Sequence, residues 1–281
     1  MLQQLIRLFP NFRGKRRLMK FLYKETVKSG KNIKVNGKYG INYILPNLRE
    51  SISFDIFVNG VYEKETFSFL NSLIPTNGVF LDLGANIGSI SLPLIKNRPD
   101  IRCFCVEAAP WIFEYLQKNI NTNIVSDKIT LINKALLDRN GETLPFYSPK
   151  EQFGKGSLSP VFTQEAIPVI SITVDELVKE YHLPNVDMIK IDIEGYEYFA
   201  FKGASELLMH EKAPEILFEF VDWAEENAGL TKGQAQQVLL DHGYQLFQLT
   251  INGKWIEHKT PLTTGSEMLF ATKKDTNFAK A

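Results

Sequence analysis

The chain of 281 residues is 44% hydrophobic and carries 32 basic and 32 acidic side chains, a formal net charge of zero. That length can bury the core of one large domain with elaborations, and the charge balance argues against a nucleic-acid groove binder, which needs a basic excess. The two cysteines, Cys103 and Cys105, lie two apart in one apolar run, where strand side chains point the same way but are not placed for a normal bridge. Free thiols suit a reducing compartment. No apolar run reaches membrane-spanning length and nothing resembles a cleaved signal, so the expectation is a cytoplasmic protein, with any membrane association peripheral.

Residues 1–24 contain no acid. Leu2, Leu5, Ile6 and Phe9 recur at helical spacing, and Arg13, Lys15, Arg16, Arg17 and Lys20 interleave with Leu18, Met19, Phe21 and Leu22. Such a basic amphipathic start either packs its leucines on the domain or touches an anionic membrane or polyanionic substrate. Asn32 to Val35, Ile41 to Leu45 and Ile52 to Phe57 read as short strands, punctuated by Gly37, Gly40, Pro46 and Asn47. Residues 1–54 are thus an accessory extension and 55–281 the main domain. A helix is expected from Phe67 to Ile74, ended by Pro75 and Gly78.

Val79-Phe80-Leu81-Asp82-Leu83-Gly84-Ala85-Asn86-Ile87-Gly88 is the first dense signal. An apolar strand runs into a glycine turn, and a helical pattern follows from Ile90. Such a turn presents backbone N–H groups and a helix N-terminus to a ligand. Asp82 and Asn86 do nothing for a buried strand and want polar partners. A dinucleotide fingerprint needs glycine at the first, third and sixth positions; here Asn86 replaces the second glycine and Gly84 and Gly88 are four apart, which disfavours a pyrophosphate. The next strand, residues 101–106, closes on Glu107, an acid placed to accept ribose hydroxyls. A helix follows from Pro110, with Asn119 and Asn123 four apart near its end. Ile129 to Ile132 is a third strand, and Ala135 stands just beyond it, where backbone groups can hold a base.

Thr143 to Tyr147 and Ile167 to Ile172 are strand-like, and the Gly- and Ser-rich link between them, residues 149–162, is expected to cover an acceptor together with part of the N-terminal segment. Thr173 caps a helix. The second dense signal is Ile189-Lys190-Ile191-Asp192-Ile193-Glu194-Gly195-Tyr196-Glu197. Charges inside and at the end of a buried strand are costly unless they serve a site. The following helix runs toward Leu208 across Gly203. Glu215 to Phe220 is the fifth main strand, with Glu219 near its functional end; a helix over 232–242, strands at 244–249 and 268–271, and a turn at Asn252-Gly253 complete the chain. Alternating strands and helices predict an open α/β sheet with helices on both faces, and the acids fall beyond the carboxyl ends of its strands.

At these motifs, with Lys202-Gly-Ala204 and Glu215-Ile-Leu-Phe-Glu-Phe220, the sequence resembles the FkbM family of S-adenosylmethionine-dependent methyltransferases over about residues 55–272. The resemblance implies a class I, Rossmann-like fold with a seven-stranded, mostly parallel sheet whose last strand is antiparallel. It also implies O-methylation of a hydroxyl on a sugar or other polyhydroxylated metabolite, so the partner is a small-molecule or glycan substrate. Where the family usually has Glu-Pro, Ala108 and Ala109 separate Glu107 from Pro110. The cofactor set is Glu63, Asp82, Gly84, Asn86, Gly88, Glu107 and Ala135. For the chemistry, Asp192 or Glu194 is the base, or Asp192 and Glu219 hold a divalent cation such as magnesium, and Lys190 orients an acid. An NAD(P)-dependent oxidoreductase of doubly wound fold and a non-catalytic binding scaffold are the alternatives. A monomer or simple dimer is expected.

Overall fold

The computed structural model describes residues 7, 14–249 and 254–274. Two short helices, α1 (Lys15–Leu22) and α2 (Lys24–Ser29), precede an antiparallel pair, β1 (Ile33–Asn36) and β2 (Asn42–Leu45). Then come α3 (Ser51–Asn59) and α4 (Lys64–Leu73), followed by β3 (Val79–Leu83), α5 (Ser91–Asn97), β4 (Arg102–Val106), α6 (Pro110–Asn123) and β5 (Ile129–Ile132). A small three-stranded sheet follows, built from β6 (Ala135–Leu136), β7 (Thr143–Tyr147) and β8 (Ala166–Ile172). The chain continues through α7 (Val174–Glu180), β9 (Met188–Ile191), α8 (Glu197–Lys202), α9 (Ser205–Met209), β10 (Glu215–Val221), α10 (Asp222–Asn227) and α11 (Gln234–Asp241). It ends in β11 (Gln245–Leu249), β12 (Trp255–His258) and β13 (Ser266–Thr272).

The main sheet has the order β12-β11-β13-β10-β9-β3-β4-β5. β5, β4, β3, β9 and β10 pair in parallel, and β13 slots antiparallel between β10 and β11. These are the seven strands expected; the terminal hairpin adds β12 at the edge, its tip, Asn252-Gly253, lying outside the described residues. Alternate residues of each parallel strand face opposite layers. Phe80, Cys103, Cys105 and Met188 pack with α3 to α6, while Leu81, Leu83, Phe104, Ile189 and Ile191 pack with α7 to α9 and α11. Because both faces are covered, these strands read as nearly unbroken apolar runs and any polar residue in them stands out.

The N-terminal layer differs from its sequence reading. Ile52 to Phe57 forms helix α3, not a strand. Ile52, Phe54 and Ile56 alternate, but Phe57 and Val58 are buried as well, so an almost fully buried helix imitates strand periodicity. Glu50 caps it by accepting the Ser51 N–H, and Gly60 (φ 80°) ends it. The Arg7 guanidinium donates to the carbonyls of Ile56 and Phe57 at its far end. The boundary expected after residue 54 falls inside α3, and Met19, Tyr43, Leu45 and Ile52 share one core with Phe80 and Leu116. Asn119 and Asn123 join this layer to the main sheet. Their side-chain carbonyls accept the N–H groups of Ile44 and Asn42 at 2.7 and 2.8 Å, and Asn123 Nδ2 donates back to Asn42 O at 2.9 Å. The apolar repeat Leu2, Leu5, Ile6 and Phe9 lies outside the described residues.

Candidate active site

The first glycine turn is tied into the protein rather than left open. Gly84 and Ala85 N–H both donate to Val106 O, at 3.0 and 2.9 Å, and Gly88 N–H donates to Ala85 O at 2.9 Å. Asn86 sits at φ 52° and donates its N–H to Glu107 Oε2 at 3.0 Å, while its side chain accepts the Ile87 N–H at 2.9 Å. The backbone donors of residues 84–88 are thereby all used, and no row of free N–H groups remains to cradle a pyrophosphate. The two glycines serve the chain itself. A Cβ on Gly84 would stand 2.1 Å from the carbonyl oxygen of Asp192, so glycine is what lets the ends of β3 and β9 meet. A Cβ on Gly88 would press on Leu116 and Leu92, so that glycine seats α6 and α5.

A cleft opens above the carboxyl ends of β3, β4, β9 and β10. From the cofactor set, Glu63, Gly84, Asn86, Glu107 and Ala135 line it; Asp82 and Gly88 do not. Asp82 lies beneath, 1% exposed, where Ser91 Oγ donates to its Oδ2 and Oδ1 has no hydrogen-bond partner. Burial raises its carboxyl against the pull of Lys190, its neighbour in the β3–β9 register. Its place is therefore under the floor, as a counter-charge, rather than in the wall. Glu107 is held by two N–H donors, Asn86 at 3.0 Å and Ala109 at 2.8 Å. Burial nevertheless pushes its carboxyl up to about 7. Glu63 is not a surface residue. It sits at φ 40°, burial raises its carboxyl, and its Oε2 is enclosed without a hydrogen-bond partner.

The opposite wall is the second motif. Lys190 is 3% exposed, and its Nζ lies 3.0 Å from Asp192 Oδ2. Burial alone would lower this ammonium, but Asp192, Asp82 and Glu63 together hold it raised and charged. Glu194 occupies the turn in a left-handed conformation, φ 53°, and Gly195 follows at φ 96° with the backbone of Ala224 pressed where a Cβ would stand. Glu219 reaches in from β10. One oxygen from each of Asp192, Glu194 and Glu219 lies within 4.8 Å of the other two. Burial, then the neighbouring carboxylates, push Glu194 up to about 8 and Glu219 up to about 9. Among the described residues, no histidine lines the cleft.

The Gly- and Ser-rich link forms the roof. Phe153 is buried, and Gly154, Lys155, Gly156 and Leu158 line the cleft. Ser157 Oγ donates to Glu194 O at 3.2 Å, Ser159 Oγ lies 3.0 Å from the Tyr196 hydroxyl, and Tyr147 and Ser157 exchange two backbone hydrogen bonds. The roof is thus fastened to the turn that carries Glu194. From residues 1–54, Glu50, Ser51 and Ile52 line the rim.

Sequence reasoning missed Glu50 and Tyr62 in the lining, and named the link 149–162 as a cover without singling out Phe153 and Lys155. Their only signal is proximity to a turn, and none stands at a strand end. It also left Glu197 without a role although it was inside the quoted motif. Glu197 is buried and accepts the Ile193 N–H at 2.8 Å, closing the turn that presents Glu194.

Residues 82–246 match the FkbM methyltransferase domain. "Methyltransferase sdnD" of Sordaria araneosa is 24% identical over 203 residues, which cover 62% of this chain and 76% of that one. Among solved structures, the chain is similar to precorrin-6Y C5,15-methyltransferase from Geobacter metallireducens GS-15 (15% identity, 76% of this chain and 93% of that one, TM-score 0.44). It is also similar to the METTL16 methyltransferase domain (12% identity, 93% and 80%, TM-score 0.47). The matched span opens at Asp82 and takes in Glu107, Lys190, Asp192, Glu194 and Glu219; the chain belongs to the FkbM methyltransferase family.

Proposed function

We propose that this methyltransferase transfers the methyl group of S-adenosylmethionine to a hydroxyl of a sugar or other polyhydroxylated metabolite. The observation that carries the reading is the convergence of Asp192, Glu194 and Glu219, oxygens within 4.8 Å of one another, across the cleft from Glu107. The cofactor fits the residues present. Glu63 offers an enclosed, unpartnered carboxylate oxygen suited to an ammonium. Glu107, at the end of the second parallel strand, offers a carboxylate for ribose hydroxyls. Ala135, beyond β5, flanks the base. When bound, S-adenosylmethionine supplies an electrophilic methyl group on a sulfonium.

The chain's own work is then to align an oxygen nucleophile and take its proton. Glu194 is suited to this, because a carboxylate pushed up to about 8 accepts a proton near neutral pH without binding it irreversibly. Asp192, fixed by Lys190, holds the acceptor hydroxyl. The roof of Phe153 to Leu158 excludes water that would compete for the carboxylates. A second reading uses the same three oxygens as ligands to a hard divalent cation that lowers the hydroxyl's pKa. The dinucleotide alternative finds no free N–H row at the glycine turn.

The test is an S-adenosylhomocysteine-release assay over a panel of hydroxylated acceptors, with Asp192→Asn beside the wild type, each with EDTA and with added magnesium. Turnover on an alcohol that collapses in Asp192→Asn is the expected result. Full turnover by the variant removes Asp192 from the chemistry. Wild-type turnover lost in EDTA and restored by magnesium favours the cation reading, and insensitivity to EDTA favours Glu194 as base.

A further inference from the structure

The N-terminal layer concentrates positive charge in a chain whose net charge is zero: residues 14–38 contain nine Lys and Arg and one acid, Glu25. Helix α1 buries Lys15 and Met19 against the domain. Its leucines are only partly covered. Leu18 is 40% exposed, Leu22 43% and Phe21 76%. Leu18 lies one turn from both Phe21 and Leu22, so the three share a continuous outward surface. Arg17, Lys20, Lys24 and Lys28 are exposed around it, and no acid occurs within α1. The helix is firmly seated. Arg16 pairs with Asp55 of α3, and the cationic ends of Arg16 and Lys20 lie over the Phe54 ring at 5.4 and 5.5 Å. The first turn of α3 forms the rim of the cleft.

We propose that α1 is an interfacial anchor for an anionic lipid surface. Leu18, Phe21 and Leu22 enter the boundary between headgroups and acyl chains, and Arg17, Lys24 and Lys28 meet lipid phosphates and carboxylates. Charge complementarity selects an anionic surface. The exposed leucines beside the phenylalanine select a bilayer over a nucleic acid, which has no use for aliphatic side chains. Through α3 the anchored face is also coupled to the cleft rim, which would bring the roofed cavity close to the bilayer. This inference stands on the surface of α1 and not on the chemistry of the cleft.

The experiment is co-sedimentation of the full chain with vesicles of phosphatidylcholine alone and with about one-third phosphatidylserine, at low and high salt. Binding to the anionic vesicles alone, weakened by salt, is expected. At about 1 kcal/mol per surface cation, Arg17→Gln with Lys24→Gln weakens it about 30-fold, and Leu18→Ser with Phe21→Ser weakens it about tenfold or more. Cofactor binding and thermal midpoint, unchanged in both variants, show that neither has lost its fold. Absence of binding to anionic vesicles overturns the proposal. So does an apolar variant that binds like the wild type while the charge variant does not, or equal binding to an RNA oligonucleotide that ignores the apolar substitutions; either result would mark a general polyanion patch.

Discussion

Lys190 Nζ, in β9, and Asp192 Oδ2, one residue past the end of that strand, stand 3.0 Å apart with the lysine 3% exposed. Asp82 and Glu63 add their charges from the floor and the opposite wall. One buried cation is therefore hydrogen-bonded to Asp192 and feels the charges of three carboxylates. Lys190→Met would leave those charges uncompensated and is expected to destabilise the protein by about 3–5 kcal/mol, read by guanidinium unfolding. A loss below about 1 kcal/mol would mean that the acids simply take up protons.

Replacing the proton acceptor separates chemistry from folding. Glu194→Gln is expected to lower kcat by about 10²–10⁴-fold while leaving cofactor affinity, measured by calorimetry, close to wild type. In the wild type, kcat should rise with pH until the carboxyl pushed up to about 8 is ionised. A variant with the same pH–rate profile as the wild type would assign the proton to another group.

Stability should depend on pH in an unusual direction. Glu107, Glu194, Glu197 and Glu219 all have folded-state values raised above the ordinary carboxylate value, mainly by burial. Between the unfolded value and about 7 to 9 the folded chain binds more protons than the unfolded chain, so their contribution falls as pH rises through that window. The ligand-free thermal midpoint is expected to drop from pH 5.5 to pH 9, and Glu219→Gln is expected to flatten the slope. A midpoint that climbs across this range would show that other groups govern the pH response.

The close approach of β3 and β9 makes Gly84 a sharp test of the turn. A methyl there meets the Asp192 carbonyl at 2.1 Å, and the φ of 86° is strained for any L side chain. Gly84→Ala is expected to lower stability by more than about 2 kcal/mol and to weaken cofactor binding. Wild-type stability and affinity together would show that the strand ends can separate at no cost.

Asn119 is a structural residue inside the matched domain. Its amide bridges Ile44 N–H and Ile87 O, at 2.7 and 2.9 Å, between the N-terminal layer and the glycine turn. Asn119→Ala strands the buried Ile87 carbonyl and the partly buried Ile44 N–H and should cost about 1–3 kcal/mol, read by chemical denaturation, with kcat retained once the protein is folded.

The sequence by itself determined the parallel core. Strands covered on both faces must be apolar along their length, so Asp82, Lys190 and Glu219 were visible as departures, and the alternation of strands and helices carried the open α/β class, though not the order of strands within the sheet. It also marked both turns, because glycine beside acid has few structural uses at a strand end. What it did not determine was which of those residues face the ligand. Asp82 and Gly88 carry the same signal as Glu107 and Gly84, and only the side on which each atom meets its neighbours separates wall from floor. The α3 helix was illegible because complete burial removes the period that tells helix from strand. The link 149–162 was legible as a cover, but Glu50, and which link residues face the cleft, such as Phe153 and Lys155, were not, because they reach it from segments distant in the chain and have no common local pattern. The gathering of Asp192, Glu194 and Glu219 needed the tertiary structure, since it depends on a left-handed turn at Glu194 and on β10 lying beside β9, relationships set by packing and not by spacing along the chain.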